Sequence, residues 1–242
     1  MATITALLFD FGGTLDGPAH WLDRFLGSYR AAGVEISRTE LDPAFDHATR
    51  TGYGATRIVA RFGMTDLVRF LVGHQFEYLR KSGPEQLRAT LDDSGAAGRH
   101  RLVEAVTNSF VRETTAGLSH SRSVVGPLKS RFKMGIVSNF YGNLDRVLEE
   151  AKLDRFFTAV ADSSRVGIFK PDVGIFEAAL KKIQCAPESV AMIGDSLSKD
   201  CIPARKLGMR TVWLCTEPRA GEDSAAADVT IRSIDELAQI QW

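Results

Sequence analysis

Residues 7–16 read LLFDFGGTLD: an apolar run closes on Asp10, two glycines and Thr14 turn the chain, and Asp16 follows. The run begins at Thr3, and its length and β-branched content fit a buried parallel strand that delivers a carboxylate at its carboxyl end. Comparable runs recur at Phe132–Val137, Phe157–Ala161, Val190–Ile193 and Thr211–Leu214. Helical patterns lie between them, at Leu144–Ala151, Val173–Ile183 and Asp200–Leu207. This alternation predicts an α/β fold, a doubly wound parallel sheet with a Rossmann-like core.

Residues 18–117 behave differently. LDRFLGSYRAAG, TDLVRFLVGHQFEYLRKSG and HRLVEAVTNSFVRET all carry amphipathic helical periodicity, and no strand run interrupts them. They predict an all-helical insert between two parts of one core, residues 1–17 and 118–242. Entering directly after the first strand, the insert is expected over the carboxyl edge of the sheet as a cap. Trp21 and Phe25 suit its core. His47, His74, Tyr53 and the arginines of the insert are candidates for substrate selection, although His74 lies in an apolar helix and fits a structural role better.

Thirty basic and thirty acidic side chains cancel, so no long-range field of one sign favours nucleic acid or an anionic membrane surface. Cys185, Cys201 and Cys215 are odd in number and widely spaced, which supports neither a disulfide framework nor a zinc knuckle, and reduced, buried thiols are expected. The first residues lack the basic flank and long apolar segment of a secretory signal. No segment approaches the ~18 to 20 apolar residues that span a bilayer. A cytoplasmic protein is the expectation, and the oligomeric state is open.

Four polar positions then fall at strand ends or in the loops beyond them: Asp10, Ser138 after FKMGIV, Lys170 in the loop after FTAVA, and Asp195 after VAMIG. In an open α/β sheet these distant segments converge at the carboxyl edge, where ligands bind.

In order along the chain, DFGGTL at Asp10–Leu15, SN at Ser138 and Asn139, KP at Lys170 and Pro171, and GDSLSKD at Gly194–Asp200 resemble the four motifs of the haloacid dehalogenase (HAD) superfamily of hydrolases, of the kind with a helical C1-type cap. The resemblance implies a HAD-like sheet and a Mg2+-dependent phosphatase acting on a small phosphorylated metabolite. By it, Asp10 is the nucleophile that becomes an aspartyl phosphate, a role suited to a group ionised at neutral pH without a base. Lys170 neutralises charge, Thr14 and Ser138 donate hydroxyls to the phosphoryl oxygens, and Asn139 belongs to the second motif. Magnesium falls to Asp10, the backbone carbonyl of Gly12 and Asp195, with Asp200 a ligand or an outer-shell partner.

One residue departs from the pattern. HAD phosphatases usually carry a second aspartate two residues after the nucleophile, as the acid and base for the leaving group and the attacking water, and here that residue is Gly12. Such help is typically worth ~10²- to 10⁴-fold, so slow turnover is expected. Asp16, or less readily His20, is a candidate replacement, each with the plainer alternative of a turn or packing residue. Haloacid dehalogenases proper also lack this aspartate but work without metal and without GDSxxxD. Phosphonate-cleaving relatives need a lysine in the cap, where only Lys81 occurs, beside Arg80 near a helix end. The competing class is a non-catalytic protein that uses the pocket to bind phosphate, metal or a partner.

Overall fold

A computed structural model of the chain describes residues 3–217 and 224–242. By its contacts the chain divides into two compact units, one running to Pro18 and resuming over Ala116–Trp242, the other Ala19–Thr115.

The first unit is built on six strands: β1 (Ala6–Phe9), β2 (Lys133–Ser138), β3 (Ala159–Asp162), β4 (Val190–Gly194), β5 (Arg210–Leu214) and β6 (Val229–Ile231). They form one sheet in the order β3-β2-β1-β4-β5-β6, with every neighbouring pair parallel. β1 sits centrally and pairs with β2 through Leu8↔Gly135 and with β4 through Leu8↔Met192. A strand in that place is covered on both faces, which is why ALLF is apolar throughout and wholly buried. On one face Leu8, Val137 and Met192 pack against Ile175, Phe176 and Ile183 of the helix Gly174–Ile183. Burying each such large side chain contributes about 1.5–3 kcal/mol.

The alternation read from the sequence is present, with shifts of one or two residues at the ends of β2–β5 and three larger differences. β1 starts at Ala6 rather than Thr3, although Thr5 still donates to Ser189 at 2.8 Å. β6 was not expected, because its three residues are too short to show a period. The helix expected over Asp200–Leu207 is two pieces, a wide π-helical turn Leu197–Cys201 followed by Ile202–Lys206. Cys201 and Cys215 are buried, whereas Cys185 is only half-buried, a correction to the expectation for all three.

The second unit is helical: Trp21–Ala31, Arg38–Gly54, Thr56–Val59, Met64–Ser82, Glu85–Asp93 and the first part of Gly95–Leu128. Arg38–Gly54 begins on a capping box in which Ser37 and Glu40 satisfy each other's backbone N–H groups. Its core is aromatic, with Phe25 stacked on Phe110 at 4.2 Å and Trp21 edge-on to Phe110 at 5.2 Å. Arg24 is buried there, its guanidinium 4.3 Å from the Phe110 ring centre, hydrogen-bonded to Thr114 and paired with Glu113 at 3.3 Å. His74 packs edge-on to Phe70 at 4.5 Å, in keeping with a structural role, and Lys81 is exposed. Among the described residues, no helix is long and apolar enough to cross a membrane.

Candidate active site

The sheet order places β1 between β2 and β4, so successive crossovers leave β1 in opposite directions and open a crevice at its carboxyl end. Asp10 enters that crevice. Its N–H still pairs with Ile193 at 2.8 Å, as the ladder would continue, and then the carbonyl of Phe11 accepts from Thr14, Leu15 and Asp16, which closes the turn.

Asp10, Lys170 and Asp200 meet there. The buried Lys170 ammonium donates to Asp10 Oδ1 at 2.7 Å and to Asp200 Oδ1 at 2.6 Å. Oxygens of Asp10, Asp195 and Asp200 all lie within 4.8 Å of one another. Asp200 is carried by the π-helical turn, and its Oδ2 accepts from Ser196 N–H at 3.0 Å. Two glycines make the close approach possible. A Cβ on Gly13, whose φ is +82°, would lie 2.5 Å from Asp195 Oδ2, and one on Gly194 would lie 2.4 Å from Asp200 Oδ2. Trp213 on β5 fixes the Asp195 backbone by donating Nε1–H to its carbonyl at 3.0 Å.

Charge is unbalanced in this cluster. Burial alone would lower the Lys170 pKa, but the charges of Asp10 and Asp200 outweigh it and raise it, so the ammonium is fixed as a cation. Burial pushes Asp200 up to about 6, with Asp10 adding to the rise and Lys170 opposing it. Asp195 is raised well above the ordinary carboxylate value by burial and by the charges of Asp10 and Asp200. Three carboxylates thus face one ammonium, and all three offer hard oxygen donors. That donor set fits a divalent cation such as magnesium, which takes carboxylate oxygens and keeps several waters.

Asn139 joins the cluster through the backbone. Its Nδ2 donates to the Lys170 carbonyl at 3.0 Å, and its Oδ1 accepts from Lys170 N–H at 2.7 Å. Ser138 is buried at the end of β2, two strands from β4. Gly12 is half-buried in the turn. Thr14 is buried in the turn after Asp10, its hydroxyl with no hydrogen-bond partner among the described residues. Asp16 is buried, and its Oδ1 accepts Gly13 N–H at 2.8 Å, so one of its oxygens braces the turn. His20 caps the helix Trp21–Ala31, its Nδ1 accepting from Leu22 N–H at 3.2 Å.

Asp162, at the end of β3, was not singled out in the sequence. Its buried carboxylate accepts from Gly142 (2.9 Å), Leu144 (3.2 Å) and Ser164 (3.0 Å) backbone N–H groups. Ser163 and Ser164 hydroxyls donate to the Phe140 carbonyl, at 3.2 and 2.6 Å. Together they hold the loop that follows Ser138 and Asn139. Burial raises the Asp162 pKa against the pull of these N–H groups. The only signal in the sequence was an acid at a strand end followed by two serines.

The family profile described as haloacid dehalogenase-like hydrolase matches residues 64–214, more than half of the chain. The chain belongs to this family. Among curated proteins it is 35% identical over 158 residues to phosphoserine phosphatase from Thermus thermophilus, covering 62% of this chain and 61% of that one. It is 30% identical over 142 residues to the pyrimidine 5'-nucleotidase YjjG of Escherichia coli, covering 58% and 63%. The chain thus spans about three fifths of the length of these relatives. Among solved structures, the HAD-hydrolase YfnB from Bacillus subtilis bound to magnesium matches with a TM-score of 0.56 over 98% of each chain at 19% identity, a likeness of fold.

Proposed function

We propose that this HAD-like hydrolase is a Mg2+-dependent phosphatase for a small phosphorylated metabolite, working through an aspartyl phosphate on Asp10. The observation that carries the reading is the Lys170 ammonium bridging Asp10 and Asp200, at 2.7 and 2.6 Å, with Asp195 in the same cluster. The names of the phosphoserine phosphatase and the 5'-nucleotidase support the substrate class.

A bound magnesium ion, held by Asp10, Asp195, Asp200 and the Gly12 carbonyl, would supply charge stabilisation to a phosphoryl group. The chain's own residues do the rest. Lys170 keeps one Asp10 oxygen hydrogen-bonded and sets a cation beside it, and a carboxylate nucleophile needs no base. An Asp10 oxygen bonds to phosphorus as the phosphorus–oxygen bond to the leaving group breaks. Ser138 donates to the phosphoryl oxygens. With no carboxyl at Gly12, the leaving alkoxide takes its proton from water, and a second water cleaves the aspartyl phosphate to release phosphate and restore Asp10. The helical unit Ala19–Thr115, inserted after β1, supplies the residues that select the substrate.

Gly12 favours a second reading, a protein that binds phosphate and metal without turnover. Phosphate release from a panel of phosphomonoesters, with and without magnesium, decides between them, together with mass detection of a phosphorylated chain. The phosphatase reading expects Mg2+-dependent release that Asp10→Asn abolishes. Undiminished release by that variant overturns the mechanism, and metal-dependent ligand binding without release or phosphorylated chain favours the second reading.

A further inference from the structure

Of the two glycines in the turn after β1, Gly13 takes left-handed backbone, with φ +82°, and Gly12 does not. Backbone conformation thus calls for glycine at position 13 and not at position 12. The carboxyl missing from position 12 changes what the crevice can do for a leaving group.

The other polar groups there do not take its place. Asp16 is wholly buried and its Oδ1 accepts Gly13 N–H at 2.8 Å, so it brings no proton to a molecule in the crevice. Asp195 and Asp200 are the acids that, with Asp10, offer oxygens within 4.8 Å of one another to a cation, and metal ligands act deprotonated. The Lys170 ammonium holds Asp10 at 2.7 Å and Asp200 at 2.6 Å, and a proton given up there would leave two buried carboxylates without their cation. Asp10 keeps 9% of its side chain exposed, so the nucleophile is reachable. The crevice presents a carboxylate, a fixed cation and donors for a metal, and none of these groups is an acid for the departing oxygen.

A leaving oxygen that receives no proton keeps the full charge of bond cleavage, so its own basicity decides the rate. The conjugate-acid pKa runs from about 4 for a carboxylic acid through about 10 for a phenol to about 15.7 for water, the range of a simple alcohol. Each unit is worth up to about tenfold when nothing protonates the oxygen. We propose that the substrate carries its phosphoryl group on an oxygen whose charge is delocalised once released, as in an acyl, enol or aryl phosphate, rather than on a simple alcohol. This rests on the phosphatase reading and narrows it. An Asp10 oxygen bonds to phosphorus, the bond from phosphorus to the leaving oxygen breaks, and that oxygen keeps the electron pair as a carboxylate, enolate or phenolate. Water then attacks phosphorus, the electron pair of the Asp10–phosphorus bond returns to the carboxylate, and the proton of that water passes to solvent.

The test offers the whole protein, with magnesium, a nearly isosteric pair, acetyl phosphate and ethyl phosphate, with phenyl phosphate between them in leaving-group basicity. From acetyl to ethyl phosphate kcat/KM should fall by at least about 10³-fold. Gly12→Asp should raise ethyl phosphate by about 10²- to 10⁴-fold and leave acetyl phosphate nearly unchanged, because only the alkoxide needs the proton. Ethyl phosphate within about tenfold of acetyl phosphate, with release abolished by Asp10→Asn, overturns this inference and leaves the phosphatase reading standing. An equal rise for both substrates in Gly12→Asp does the same. No magnesium-dependent release from any of the three, or release that survives Asp10→Asn, overturns the phosphatase reading and this inference with it. If Gly12→Asp does not fold, the wild-type ratio still decides.

Discussion

The carboxamide of Asn139 grips the backbone of Lys170 on both sides, donating to its carbonyl at 3.0 Å and accepting from its N–H at 2.7 Å. Lys170 reaches two carboxylates from that fixed backbone. Asn139→Ala should therefore displace the ammonium without touching any acid. A misplacement of about 1 Å can cost about 10²-fold, so kcat should fall by about that factor with the fold retained. Steady-state kinetics beside circular dichroism checks this, and wild-type kcat in a folded variant would refute it.

The acid cluster also predicts an inverted dependence of stability on pH in the metal-free protein. Asp200, at about 6, and Asp195, well above the ordinary value, hold protons in the folded state that the unfolded chain has lost. The folded state binds more protons between about pH 4 and 6, so stability falls as pH rises through that window. Asp195→Asn removes one of the repelling charges. It should raise the metal-free Tm at pH 7, flatten the slope, and abolish any stabilisation by magnesium, all measurable by calorimetry.

Gly12→Asp restores the carboxyl that the second position of the first motif lacks. If the rest of the site is competent, phosphate release should rise by about 10²- to 10⁴-fold, the usual worth of acid–base help. A rate unchanged by this substitution would show that the missing acid is not what limits turnover.

Gly13→Ala should damage both fold and site. The added Cβ would fall 2.5 Å from Asp195 Oδ2, and φ of +82° is strained for any L side chain, a cost of about 1 kcal/mol from the backbone alone. A lower Tm with weaker magnesium binding is expected in calorimetric titration.

Asp162→Ala leaves the N–H groups of Gly142, Leu144 and Ser164 without their acceptor. Unsatisfied buried donors cost about 1–3 kcal/mol each, less where water enters, so a loss of about 2–4 kcal/mol in denaturant unfolding is expected. A change below about 0.5 kcal/mol would mean that the loop after β2 does not need this carboxylate.

Five of the six strands, and the strand ends where chemistry gathers, were legible in the sequence. Strands such as ALLF and VAMIG are short, apolar and closed by a turn or an acid, and that local pattern needs no partner to be read. It also announced the departure at Gly12. Tertiary structure alone decided what each polar group meets. Asn139 and Lys170 stand 31 residues apart and pair only because β3, whose following loop carries Lys170, lies beside β2. Asp162 looked like an ordinary strand end, and its work on Gly142 depends on β3 adding to β2. Thr14 sat within a recognisable motif, yet only the assembled fold leaves its hydroxyl buried with no hydrogen-bond partner among the described residues. Local periodicity is written in neighbouring residues, whereas a hydrogen bond between distant segments exists only once the whole sheet has assembled.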